Sequence, residues 1–134
     1  MKVKDHIILA VVAICGWFFY YLIGIPSDYF QDWRLSEQIL LSLITFFSAV
    51  PLISSVTIVL INRNYIKTGI WLAFYASFFL AFLDFIICGV IQRGGLKIFT
   101  THWYLTLGYF YVWVICPLMG FVIHRFKLNM TNIN

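Results

Sequence analysis

One carboxylate stands apart in this chain. Asp84 lies in the run FLAFLDFIICGV from Phe79 to Val90, which is otherwise fit for lipid. A carboxylate at bilayer depth costs about 2.5 to 3.5 kcal/mol on insertion scales, so it must face other protein and find partners there. Ala73, Ser77, Ala81, Asp84 and Cys88 succeed one another at helical spacing, which places them on one small and polar stripe. Phe74, Phe78, Phe82 and Phe85 repeat the spacing one position on, displaced by about a hundred degrees. The pattern predicts a narrow protein-facing seam bordered by bulky rings, with Asp84 on it.

Counting about 1.5 Å per residue from the outer end of its span places Asp84 roughly 10 Å deep. Trp17, Tyr20 and Tyr21 of the first span fall at that depth, as do Ser42 and Thr45 of the second and Thr106, Tyr109 and Tyr111 of the fourth. No Lys, Arg or His does. Without a cation, burial favours the neutral acid, hydrogen-bonded to hydroxyls. Two chemistries fit this group: a proton or cation site in the outer half of a small bundle, or a structural acid that fixes helix packing. A single acid without a second titrating group makes a poor relay, which favours the structural reading.

Other chemistry-bearing residues add no site. His6 and His124 sit near the inner ends of their spans and His102 at the outer end, so none shares a depth with Asp84. His102 with Asp28, Asp32 and Glu37 would form an outer-face cluster whose spacing fits no metal-ligand motif. Ser36, Ser42, Ser48, Ser54 and Ser55 lack a G-x-S-x-G context and a histidine at their depth, so they read as residues that let helices approach. Cys15, Cys88 and Cys116 all fall inside spans without a C-x-x-C pair, and read as small packing residues. In QRGGL, paired glycines supply positive φ cheaply, but no strand precedes them to make a phosphate loop. No cofactor, no metal and no catalytic constellation are expected.

The elements that must position Asp84 follow from composition. The 134 residues are 63% hydrophobic, 20% aromatic and 10% charged, with a mean hydropathy of +0.94, whereas soluble domains carry about 25% charge. Four segments are long enough to cross roughly 30 Å of hydrocarbon: His6 to Gly24, Gln38 to Ile61, Gly69 to Ile91 and Trp103 to Ile123. Their uninterrupted apolar runs exclude the alternation of a barrel, so the chain is predicted to be an all-α integral membrane protein. The expected fold is one domain over 1–134, with four transmembrane helices in an up-down antiparallel bundle. The first span follows Lys2 and Lys4 as a signal peptide would, but ends in the bulky GWFFYYLIG, so it reads as retained. Pro51 and Pro117 each free a carbonyl one turn earlier, at Phe47 and Trp113, and predict kinks.

Charge sets the orientation. Of nine Lys and Arg, the six residues Lys2, Lys4, Arg63, Lys67, Arg125 and Lys127 fall on one side, and only Arg34, Arg93 and Lys97 on the other. By the positive-inside rule both termini are then cytoplasmic. The outer loop IPSDYFQDWRLSEQ interleaves rings with acids as a headgroup-level segment does, and Trp103 and Tyr104 continue that aromatic belt. The expected location is a cell membrane, as a multi-pass protein of the bacterial inner membrane. Its partners would be the lipid bilayer and another membrane protein or a homo-oligomer, and the net charge of +4 implies headgroup contact without nucleic acid. The leading functional expectation is a non-enzymatic accessory, interaction or immunity-type subunit. The alternative is a small oligomeric transporter or channel that couples protons or cations through Asp84.

Overall fold

The computed structural model describes residues 1–24, 37–91, 95–97 and 103–131. Every regular element among them is helical and none is a strand. Helix α1 spans Val3–Gly24, α2 Glu37–Ile61, α3 Tyr65–Asp84 and α4 Trp103–Thr131. Directly after α3 comes a π-helical segment, Phe85–Ile91, and Gly95–Lys97 forms a short 3-10 turn. Gly95 has φ +58°, the positive value expected of this glycine turn.

Four stretches among the described residues are long and apolar enough to cross a membrane: Val3–Leu22, Leu43–Ile61, Tyr65–Ile91 and Thr106–Met130. They overlap the four spans read from hydropathy, and two of the helices extend well past the expected bounds. The third helix begins before Gly69 because Asn64 caps it, its side chain accepting from the Lys67 N–H at 3.1 Å. The fourth runs on to Thr131 beyond Ile123, since no proline or glycine follows Gly120 to break it. The link from α2 to α3 is tight. Asn62 takes φ +48° and returns its N–H to the Ile58 carbonyl at 3.2 Å, a left-handed cap that asparagine tolerates.

Helix α3 is the hub, packing most extensively on α4 and then on α1, while α2 leans on α4 and meets α1 least. The α3–α4 contact is brought to backbone distance by two glycines. A Cβ on Gly69 would stand 2.5 Å from the Cys116 carbonyl oxygen, and one on Gly120 would stand 2.5 Å from that of Tyr65. Such close approach replaces the hydrophobic drive that helices lack in lipid with van der Waals contact.

The seam on α3 differs from the small and polar stripe expected. Its buried residues are Thr68, Gly69, Leu72, Ala73 and Leu80. Ser77 instead turns back on its own helix and donates to the Ala73 carbonyl at 2.7 Å. Leucines enter the seam because α3 must fill space toward α1 as well as α4, where small residues alone would leave voids. Three of the four border phenylalanines point outward: Phe74, Phe78 and Phe82 are 45%, 52% and 49% exposed and stack in register, whereas Phe85 is half-buried at the start of the π-helical segment.

A candidate intramembrane site at Asp84

Asp84 is the last residue of α3 and is held from two sides. The Trp17 indole N–H of α1 donates to Oδ1 at 2.8 Å, and the Tyr109 hydroxyl of α4 donates to Oδ2 at 2.7 Å. One carboxyl group thereby ties three helices at one level. Trp17 is only 8% exposed and stacks on Tyr21 at 5.0 Å between ring centroids, so its donor is fixed in place. An indole N–H cannot accept, and Oδ1 is therefore an acceptor in either protonation state. The expectation from sequence stressed hydroxyl partners; the donor on Oδ1 is instead this indole.

The helix changes character immediately beyond the acid. Phe85–Ile91 winds as a π-helix, a form that occurs mostly as short insertions and frequently at functional sites. Gly89 makes room within it, since a Cβ there would lie 2.7 Å from the Phe85 ring.

The remaining depth-matched residues divide. Tyr20 is within electrostatic reach of Asp84 and packs on the Phe46 ring at 4.8 Å. Tyr111 is drawn elsewhere: its hydroxyl donates at 2.8 Å to the Phe47 carbonyl, the group that Pro51 deprives of its helical donor. The proline gap in α2 is thus closed from α4. Helices α2 and α4 run continuously through Pro51 and Pro117. Thr45 lies on the wall of a cavity of about 80 Å³ between the four helices. Thr106 lies on α4 one turn before Tyr109, and the Ser42 side chain is outside the described residues.

Away from Asp84 the hydroxyls mostly serve their own helices. Ser48 donates to the Ile44 carbonyl, Ser54 and Ser55 to that of Pro51, and Thr57 to that of Ile53. Thr68 Oγ1 is buried without a partner. Cys15 and Cys116 are free thiols, while Cys88's side chain lies outside the described residues. No three His, Cys, Asp or Glu come together as metal ligands among the described residues. Residues 25–36 of the outer loop, with Asp28 and Asp32, and His102 fall outside that set, as does the side chain of Glu37.

A second polar group escaped the sequence reading. Asp5, 6% exposed, accepts the Lys2 backbone N–H at 2.7 Å and pairs with Arg63 Nε at 3.1 Å. Beside it Asn62 Oδ1 accepts from the Tyr65 hydroxyl at 2.6 Å and from Lys127 Nζ at 2.7 Å. The His6 Nδ1 lies 3.3 Å from the Tyr75 hydroxyl, with its ring edge-on to Trp71. The signal for Asp5 was an acid at the third helical position, which can reach back to the capping N–H. Nothing local announces Arg63. These contacts gather the start of α1, the α2–α3 link and the end of α4 at one end of the molecule. The chain matches no protein-family model, no curated protein and no solved structure at a significant level.

Proposed function

We propose that this chain is a multi-pass protein of the bacterial inner membrane that works as a non-enzymatic accessory, interaction or immunity-type subunit. Its four spans would form an up-down antiparallel bundle with both termini in the cytoplasm. The observation that carries the reading is the state of its intramembrane acid. Both oxygens of Asp84 are engaged by side chains of neighbouring helices, which suits a tie that fixes packing better than a vacant site awaiting an ion. The orientation draws support from the gathering of Lys2, Asp5, Arg63 and Lys127 at one end.

The π-helical segment that starts at Phe85 favours a second reading, a small oligomeric transporter or channel using Asp84. Purification in mild detergent separates the two when combined with flux measurements in liposomes. The subunit reading expects a membrane partner at fixed stoichiometry, retained by Asp84→Asn, and no ion-driven flux. A proton- or cation-dependent flux that Asp84→Asn abolishes without unfolding would overturn it. Reporter fusions after Arg63 and at Asn134 should both report cytoplasm, and a fusion within 29–37 the outside.

A further inference from the structure

The cavity between the four helices is not accounted for by the Asp84 tie. Its volume of about 80 Å³ is several times the roughly 10 to 15 Å³ that one water needs. Its lining is almost wholly apolar, and the Ser54 hydroxyl on its wall is turned to the Pro51 carbonyl. Water needs two to four polar partners to stay in such a space. The cavity therefore favours a hydrocarbon occupant.

It also reaches the side of the bundle. Helices α1 and α2 pack least of the contacting helix pairs, and their facing residues here are small: Ala13 and Gly16 on α1, Ala49 on α2. A Cβ on Gly16 would meet nothing within 4 Å. Phe19 and Ile53 stand both on the cavity wall and on the outer surface, 50% and 37% exposed. This mouth lies within the membrane-crossing stretches Val3–Leu22 and Leu43–Ile61, so the medium at its threshold is lipid tails.

We propose that an acyl chain of a bilayer phospholipid enters between α1 and α2 and lies against Leu72, Ala76 and Val112 on the cavity floor. An apolar cavity of about 150 Å³ holds benzene. The smaller volume here suits the narrower section of a linear chain, which can continue out through the mouth. Filling the void restores dispersion contacts that an empty cavity forfeits. The proposal rests on the chain residing in a bilayer, and not on any titration of Asp84.

Photolabelling tests it on the intact chain. The protein is reconstituted in phosphatidylcholine vesicles carrying a diazirine on the phospholipid acyl chain, irradiated, and its adducts mapped by mass spectrometry. Adducts are expected on Leu72, Ala76 or Val112 as well as on outward residues such as Phe18 and Leu52. In Gly16→Phe, whose ring would stand in the mouth, floor labelling should drop at least fivefold while labelling of Phe18 and Leu52 persists. Ala49→Leu narrows the mouth from the other wall and should act alike. A wild-type chain labelled only on outward residues overturns the proposal, as does floor labelling unchanged in both variants. A parallel arm with a diazirine free fatty acid separates the sources, and floor labelling by the fatty acid alone overturns the phospholipid assignment. Should both variants unfold, quenching decides: Trp17, kept as the sole tryptophan by Trp→Phe at the other four positions, should be quenched by brominated acyl chains despite its burial. An unquenched Trp17 overturns the proposal.

Discussion

Replacing Asp84 by leucine removes two interhelical hydrogen bonds at once, those from Trp17 at 2.8 Å and Tyr109 at 2.7 Å. Side-chain hydrogen bonds between membrane helices average about 0.6 kcal/mol, so the expected loss is about 1.2 kcal/mol, close to an eightfold shift in the folding equilibrium. Tyr109→Phe removes one bond and should cost about 0.6 kcal/mol alone but nearly nothing in the Asp84→Leu background. Asp84→Asn keeps the Oδ1 acceptor for Trp17 and offers an amide N–H to the Tyr109 oxygen, so it should leave stability nearly unchanged. Asp84→Lys sets a donor-only group against two donors and should be far worse. Reversible unfolding in mixed micelles, followed by tryptophan fluorescence, measures the parent and the five variants. A leucine variant as stable as the parent would refute the tie, as would a Tyr109→Phe cost that is undiminished in that background. An asparagine variant destabilised as much as the leucine one would refute the neutral acid instead. Hydrogen bonds to an ionised carboxylate are about twice as strong and would be lost with the charge.

Three further outcomes follow from contacts elsewhere. Tyr111→Phe should cost about 0.6 kcal/mol, and Pro51→Ala should abolish most of that cost by returning an N–H to the Phe47 carbonyl; unfolding of the four-member cycle in micelles reads the coupling. Gly69→Ala and Gly120→Ala each force a methyl against backbone and should destabilise by about 1 to 3 kcal/mol, seen as loss of the folded fraction in detergent, whereas Gly16→Ala, in open space, should be neutral. Arg63→Ala leaves Asp5 buried with the Lys2 N–H; because Arg63 is 41% exposed, the expected cost is about 1 kcal/mol, below that of a fully buried pair, and Asp5→Asn should restore part of it in a thermal melt.

Hydropathy and local chemistry determined the helices. The four apolar runs and the polar breaks between them act within a few residues, so each can be read in a window of sequence. The same holds for the cost of Asp84 in lipid and for the carbonyl that Pro51 frees, both consequences of single residue types. Outward-facing Phe74, Phe78 and Phe82 also follow from periodicity alone.

Only the tertiary structure decided which partners those groups take. Depth counting reduced the candidates for Asp84 to a ring of residues at one level, but depth does not fix the rotation of a helix about its axis. That rotation is set by packing. With Gly69 and Gly120 pressed to the opposing backbones, α3 and α4 adopt the register that brings Tyr109 to Asp84 and sends Tyr111 to Phe47 instead. The Asp5–Arg63 pair and the gap between α1 and α2 have the same origin. Each depends on which helix faces lie opposite one another, an outcome of contacts distributed over the whole bundle and encoded in no single stretch of the chain.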